Sequence, residues 1–333
     1  MVERDDKADP KLGAQIADEL IHKVKVVATV GIVNTGVGLS SIEKYQNAKV
    51  PLVIAVSTGT VLTKRYAPPA APENYIFRVS PRTDIETAFL VNHIVDRVNL
   101  TKIAILADDT PYGESGKVDL EKALAARKLK AAAIERFKIG ATDMSTQLAR
   151  ARAAGAEVVV MYGIGPELAA IAQSKSAMKW NAPLFAGWTA SMQNFIDAAG
   201  KSGEGVMMPQ TFIQDNDNFR RRSFVLSYFE QNGSGVIPSP MSAAQGYDAM
   251  RLLNNAMQLS PTLAGVDIKN ALENMNNRVE GVITVYSRPY TPDDHDAVTS
   301  NMLVMGVVHN GKTDFAFKTD AKRSFMVERK KSL

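Results

Sequence analysis

The sequence predicts an α/β protein built as two doubly wound parallel-sheet lobes. Three observations carry that expectation. Between Lys102 and Gly187, four short apolar runs (Ile103–Ala107, Ala131–Phe137, Val158–Tyr162 and Leu184–Gly187) alternate with helical patterns, the order of a parallel sheet with crossover helices. The rest of the chain reads as a second copy of that layout, with crossings between the two. A length of 333 residues also exceeds what one hydrophobic core normally fills.

Taken in order, Asp9 and Pro10 form a helix start, with Asp as N-cap and Pro at the first helical position. Leu12, Ile16 and Leu20 follow as one apolar stripe. Val24–Gly31 is a β-branched run and reads as a buried strand. Asn34-Thr35-Gly36-Val37-Gly38 leads into a helix near Leu39–Gln46, and Pro51–Val56 is a strand ending in Ser57-Thr58-Gly59-Thr60. After a Pro- and Ala-rich loop (Tyr66–Asn74), Tyr75–Val79 is a short strand. Thr83-Asp84-Ile85-Glu86 has the capping-box form, so a helix runs from there to about Val98. Beyond the central stretch, Val206–Met208 is extended and the pattern changes at Pro209-Gln210-Thr211. The polar stretch Gln214–Asn218 precedes helices at Phe219–Gln231, Ser242–Met257 and Val266–Asn274. Strands return at Val282–Tyr286 and Met302–Val308, with a turn at Asn310-Gly311 before Asp314–Lys318.

Composition narrows the function. With 45% hydrophobic and 22% charged residues the chain is ordinary globular material. The net charge is +4, but the basic residues are spread. Only Lys322, Arg323, Arg329, Lys330 and Lys331 cluster, as a solvated terminus would, and without a basic–aromatic stripe no nucleic-acid partner is expected. The absence of cysteine excludes disulfides, thiolate metal sites and cysteine nucleophiles. No apolar run approaches the roughly 20 residues that span a bilayer. Met-Val-Glu-Arg-Asp-Asp at the N-terminus lacks the apolar region of a secretion signal.

No motif points to catalysis, a cofactor or a metal. Gly36-Val37-Gly38 resembles part of a dinucleotide fingerprint, but Ser41 stands at the third glycine position and no acidic residue follows at the right distance. A small ligand received by backbone and hydroxyl groups is the better reading there. Asp293-Asp294-His295-Asp296 is adjacent rather than spaced like a calcium loop, so a solvated turn is expected. His93 sits among Leu90, Val91 and Ile94 without a partner at ligand spacing, as a packed or solvated histidine would. Two strand-end loops, Asp108–Glu114 and Tyr162–Glu167, lie where open α/β sheets collect ligands. Tyr112, Trp188 and Thr189 stand just past strand ends and suit a pocket role.

Together, Arg4-Asp5-Asp6-Lys7-Ala8-Asp9-Pro10, Phe77-Arg78-Val79-Ser80-Pro81, Ala107–Gly113, Gly140–Leu148, Tyr162–Glu167 and Gln245-Gly246-Tyr247-Asp248 resemble the solute-binding proteins of ABC importers in the branched-chain amino-acid (leucine/isoleucine/valine-binding) family. The resemblance implies a type I periplasmic-binding architecture, with three crossovers between lobes that close on a small ligand. The lobes would comprise residues 1–82 with 213–283 and residues 83–212 with 284–333. It also implies a non-catalytic monomer in the periplasm, without a cofactor, that delivers its solute to an ABC permease in the inner membrane. Carried over onto this chain, Thr35 and the loop of Ser57, Thr58 and Thr60 would hold a ligand carboxylate. Tyr112 would supply an aromatic contact from the other lobe, and Trp188 joins it by its own place just past a strand end.

Three departures stand out. Ile164 or Gly165 occupies the place of a second tyrosine, and Thr189 the place of the glutamate that amino-acid binders use for the ammonium group. Since a buried ammonium needs a carboxylate, a carboxylate with an uncharged, aromatic or aliphatic body is expected rather than a simple branched-chain amino acid. The Asp-Asp-x-x-Asp-Pro segment stands at residues 5–10, where the family first has a signal peptide, a strand and a long helix. The first strand and helix of lobe 1 are therefore expected to be missing, with either Met1 a mis-assigned start, whose correction restores the export signal, or the chain a truncated product. A ligand-sensing regulator on the same fold and an α/β enzyme using the same cleft are the rival readings.

Overall fold

A computed structural model describes residues 1–214, 219–233, 236–323 and 330. The chain forms two compact units. Unit 1 comprises Met1–Arg82, Ser242–Met302 and Val327–Leu333, and unit 2 comprises Thr83–Met241 and Leu303–Met326. The second and third passages thus lie beyond the expected positions near 213 and 284. The change of pattern at Pro209-Gln210-Thr211 is the end of a unit 2 strand rather than a passage. On the other side, the buried Asp248 carboxylate accepts the Val282 and Ile283 N–H groups (2.6 and 3.0 Å) and the Tyr286 hydroxyl (2.8 Å). Those bonds keep the 281–286 turn in unit 1.

The chain opens with α1 (Pro10–Asp18), β1 (Thr29–Gly31), α2 (Thr35–Ala48), β2 (Leu52–Ile54), α3 (Val61–Lys64) and β3 (Ile76–Arg78). Unit 2 follows with α4 (Thr83–His93), β4 (Ile103–Asp108), α5 (Pro111–Ala126), β5 (Ala133–Phe137), α6 (Ser145–Ala153) and β6 (Val158–Tyr162). It continues through α7 (Pro166–Ala177), β7 (Leu184–Ala186), α8 (Gln193–Ala199), β8 (Met207–Gln210) and α9 (Phe219–Asn232). Then come α10 (Pro240–Leu259), α11 (Gly265–Glu273), β9 (Arg278–Glu280) and β10 (Val285–Ser287), and finally β11 (Val304–His309), β12 (Lys312–Phe315) and α12 (Lys318–Arg323).

Unit 2 is built on one seven-stranded sheet in the order β12-β11-β8-β7-β6-β4-β5. The strands from β5 to β8 run parallel, and β11 and β12 add an antiparallel edge. Its central strands β4 and β6 are buried at every position, as their unbroken Val/Ile-rich runs require when helices cover both faces. His93 is packed, against the rings of Phe185 and Phe317.

Unit 1 carries the shorter parallel sheet β1-β2-β3 and the antiparallel pair β9-β10. Asp9 caps α1 by accepting from Lys11 and Leu12 N–H, with Pro10 behind it, so the local signal reads directly as structure. The run Val24–Gly31 does not. A π-turn, Glu19–Val24, prolongs α1, Lys25 closes it in the left-handed conformation (φ 59°), and only Thr29–Gly31 joins the sheet, half-buried. Among the described residues β1 pairs on one side only, so none of them draws the preceding residues into a ladder. Nor does the sheet hold an opening for a further strand between neighbours, because β1 and β2 pair directly from Thr29–Leu52 to Gly31–Ile54. Beside β1 lies a cavity of about 610 Å³, with Ile16, Val30, Val37, Leu253 and Met257 among its lining residues.

Asp293-Asp294-His295-Asp296 is not the expected solvated turn. His295 and Asp296 are buried, because the main chain here lies alongside β3. Arg78 N–H donates to the His295 carbonyl and Ala297 N–H to the Arg78 carbonyl, both at 2.9 Å. His295 stacks on Phe77 with ring centroids 3.9 Å apart. The terminal basic cluster also differs from expectation at one position. Lys322 is exposed, but Lys330 donates to the carbonyls of Pro289 and Asp296 and pairs with Asp294 at 2.7 Å. Arg329 and Lys331 lie outside the described residues.

Candidate functional site

In unit 1 the named residues converge at the carboxyl ends of β1 and β2. Thr35 opens α2, just past β1, and its hydroxyl lies 3.1 Å from that of Ser57, just past β2. Both are buried, as is Thr58, while Thr60 is half-exposed. Ser80 donates to the Ser57 carbonyl at 2.8 Å and ties the loop to the end of β3. Gly59 is pressed against Thr35: a Cβ there would come within 2.5 Å of the Thr35 methyl, so only glycine lets the two loops touch.

Beneath that loop lies a buried charge cluster. Arg78, fully buried at the end of β3, donates to the carbonyls of Thr58 (2.9 Å) and Gly59 (2.8 Å), to Thr63 Oγ1 (2.6 Å) and to Asp296 Oδ1 (2.8 Å). Thr63 and Arg82 also donate to Asp296 (2.9 and 3.1 Å), and Lys64 approaches it at 3.8 Å. Burial by itself would push the Asp296 carboxyl up, but the Arg78 and Arg82 guanidinium groups, with Lys64, outweigh it and hold the carboxyl far below its ordinary range. Sequence reasoning took neither Arg78 nor Asp296 as a site residue. The signal was present in the arginine itself, which stands at the end of the apolar strand Ile76–Val79 and, once buried, demands a partner.

In unit 2 the named residues gather at the ends of β4, β6 and β7. Tyr112, in the first turn of α5, packs on Tyr162 with ring centroids 4.8 Å apart. Its hydroxyl comes within 2.8 Å of where a Cβ on Gly187 would stand, so a side chain at 187 would displace it. Trp188 and Thr189 follow in a short 3₁₀ turn, and both are buried. The Thr189 hydroxyl donates to the Gly163 carbonyl at 2.6 Å. Gly165 caps α7 with φ 61°, beside the half-buried Ile164. Tyr162 donates to the buried Glu86 at 2.9 Å, a pair not foreseen from sequence because the two residues lie 76 positions apart.

Among the described residues two donors in this group lack a partner at hydrogen-bond geometry: the Tyr112 hydroxyl, which only approaches Thr189 and Tyr162, and the Trp188 indole N–H. Burial, with the nearby Glu86 charge, raises the Tyr112 hydroxyl well above the ordinary phenol value, so it stays protonated and able to donate. Asp108 is occupied differently. Its Oδ1 accepts from Thr110 N–H and Oγ1 and from Gly113 N–H (3.0, 2.5 and 3.1 Å), building the turn that enters α5. Burial still leaves the Asp108 carboxyl raised, the Thr110 and Gly113 donors only partly offsetting it.

Among the described residues no group of three or more His, Cys, Asp or Glu side chains could hold a metal, and no helix is long and apolar enough to cross a membrane.

Several known proteins are similar to this chain. A Leu/Ile/Val-binding protein homolog 2 of Brucella abortus is 27% identical over 235 residues, covering 70% of this chain and 60% of that protein. A leucine-, isoleucine-, valine-, threonine- and alanine-binding protein of Pseudomonas aeruginosa is 24% identical over 217 residues, covering 64% and 56%. The match thus spans about three fifths of the length of these relatives. Among solved structures, a type 1 periplasmic binding protein of Bordetella pertussis superposes with a TM-score of 0.82 at 22% identity, covering 93% of this chain and 86% of its own. LivJ of Streptococcus pneumoniae, solved in complex with isoleucine, gives 0.79 at 21% over 94% and 85%. A solute-binding protein of Rhodopseudomonas palustris, solved with benzoate, gives 0.78 at 17% over 95% and 83%. These neighbours share the type I periplasmic-binding fold with the chain. A family model described as periplasmic binding protein matches residues 1–312, nearly the whole sequence, and the chain therefore belongs to the periplasmic binding protein family.

Proposed function

We propose that the chain is the non-catalytic solute-binding component of an ABC uptake system, recognising a small carboxylate-bearing solute and delivering it to an inner-membrane permease from the periplasm. The observation that carries this reading is the buried hydroxyl cluster of Thr35, Ser57 and Thr58 at the ends of parallel strands, where backbone and hydroxyl donors suit a carboxylate. Thr60 borders the same loop. In unit 2, Tyr112, Trp188, Thr189, Ile164 and Gly165 supply the contacts to the body of the solute. The two unpartnered donors there, and a threonine in place of the family's glutamate, favour an amino-acid-like or aromatic or aliphatic acid whose body carries an acceptor rather than an ammonium group. The neighbours solved with isoleucine and with benzoate show that chains of this fold take both kinds of acid.

The test is thermal unfolding and calorimetric titration with leucine, isoleucine, valine, benzoate, short aliphatic acids, and the hydroxy and keto forms of these acids, whose bodies carry an acceptor. A ligand that binds only the native state raises the apparent melting temperature, by about 2.7 kcal/mol of added stability at a hundredfold excess over Kd. The reading expects a shift with an aromatic or aliphatic acid. Tight leucine or valine binding would refute the uncharged body, and no response to any acid would refute the receptor.

A further inference from the structure

We infer that His295 is carried as a doubly protonated imidazolium, and that this cation is the clasp fastening residues 293–297 to β3 and α11 of unit 1. One proton then governs how firmly the neighbouring Asp296 is held against Arg78.

The ring nitrogens set the charge. Nδ1 lies 3.1 Å from the Ile76 carbonyl oxygen, and Nε2 lies 3.1 Å from Glu273 Oε1. A main-chain carbonyl accepts and never donates, and the same holds for an ionised carboxylate. A neutral imidazole donates from one nitrogen only and would turn a lone pair toward the second acceptor. An imidazolium donates from both. Glu273 has its own reason to be ionised, since the Lys269 ammonium donates to both of its oxygens at 3.2 Å. Burial by itself would raise the Glu273 carboxyl, but the His295 contact and the Lys269 charge leave it below its ordinary value.

The surroundings suit a cation. His295 is buried and lies flat on Phe77, with the ring planes 10° apart, and an aromatic face attracts positive charge. On α11, Lys269 also reaches Glu73 at 3.9 Å, while Glu73 meets the exposed Lys49 and the Tyr75 hydroxyl, each at 3.3 Å. On β3, Arg78 is turned to Asp296, which Arg82 and Lys64 also approach. Asp294 pairs with Lys330 and lies 3.9 Å from Lys64, and Asp293 is exposed. Glu273 is therefore the carboxylate that answers His295. The main chain closes the clasp, for Arg78 N–H donates to the His295 carbonyl and Ala297 N–H to the Arg78 carbonyl. Without the proton, one ring nitrogen would oppose its acceptor beside the residue that anchors Arg78.

The experiment is long-range proton–nitrogen correlation on the isotope-labelled full chain, with the His295 signals identified by their loss in His295→Gln. At pH 7 both ring nitrogens should show the matched shifts of an imidazolium, and the split pair of a neutral tautomer would overturn the proposal. Glu273→Gln removes the counter-charge and should give the split pair at the same pH; a matched pair there would overturn the role of Glu273. The clasp is read at the Arg78 and Ala297 amide resonances, which should move with the ring as it loses its proton. Amides that stay still through that change would overturn the fastening. Stability carries the same sign. The folded chain holds the proton, and the unfolded chain releases it above about pH 6.5. The ratio of folding constants, parent over His295→Gln, should thus fall at least tenfold in urea unfolding as pH rises from 6 to 9. A constant or growing ratio would overturn the proposal. Should His295→Gln fail to fold, His295→Phe keeps the stack on Phe77 and supplies both comparisons.

Discussion

The two sets of strand-end loops solve the same problem with different materials. In unit 1 the Ser57–Thr60 loop is fixed from below by ions: Arg78 reaches two of its carbonyls and is answered by Asp296. In unit 2 the corresponding residues are fixed by shape, with Tyr112 on Tyr162 and both rings against Gly187. An ionic support specifies direction, because each bond has one geometry. An aromatic support specifies volume and leaves polar tips free, as the Tyr112 hydroxyl and Trp188 N–H are. The difference teaches that the unit 1 loop is held by bonds of fixed direction and the unit 2 loops by packed volume, which on the proposed reading suits one to a single chemical group and the other to a body of a given size.

That contrast can be broken most severely at Asp296. Asp296→Ala strands the fully buried Arg78 without its counter-charge and should cost about 3–5 kcal/mol of stability in denaturant unfolding. Loss of less than about 1 kcal/mol would mean that the ions are ornamental to unit 1. The matching challenge to unit 2 is Gly187→Ala, whose methyl would lie 2.8 Å from the Tyr112 hydroxyl and 3.1 Å from the Tyr162 ring. Overpacking of that kind costs about 1–3 kcal/mol, read by the same unfolding curve.

Acid separates the two supports by sign. The folded Asp296 carboxyl sits far below its ordinary value, so its contribution is complete above the unfolded value of about 4 and is lost as pH falls below it. Asp108 in unit 2 is raised by burial, so its ionised form costs stability, and that cost is relieved as pH falls through the folded value. Urea unfolding from pH 7 to pH 3 should therefore show Asp296→Asn flattening the acid loss, while Asp108→Asn leaves it in place. The smallest effect is expected at Tyr112→Phe. Removing an unpartnered buried hydroxyl should leave the ligand-free protein unchanged or more stable by up to about 1 kcal/mol, while weakening the solute in calorimetry.

How much of this was legible in the sequence follows from how local each cause is. The strands β4 and β6 are long, unbroken and apolar, and the caps at Asp9 and Thr110 are made by neighbours in sequence, so their elements could be read directly. The run Val24–Gly31 is β-branched like those strands, but only Thr29–Gly31 joins the sheet, because a strand needs a partner and sequence does not show which sides are occupied. Thr35, Ser57 and Tyr112 were legible as residues just past strand ends. Asp296 was not, since its burial depends on β3, more than two hundred positions away. The passages between units were misplaced for the same reason: Asp248 holds the 281–286 turn across 34 or more residues.

The pairing of Arg78 with Asp296 spans 218 positions, and this has a consequence for the order of events at the ribosome. At about 5–20 residues per second, about 12–47 seconds of synthesis separate the loop's own residues from the aspartate that balances its arginine. During that interval β1, β2 and β3 can form, but Arg78 has no counter-ion and the Ser57–Thr60 loop no fixed floor. Closing so long a segment is also the slow part of folding, since distant contacts are rewarded only after the chain entropy between them has been lost. Nascent or prematurely terminated chains ending before residue 296 would carry every hydroxyl of the unit 1 site and still lack its shape. The fixed floor of the Ser57–Thr60 loop would thus arrive late and all at once, when the segment around Asp296 docks against β3.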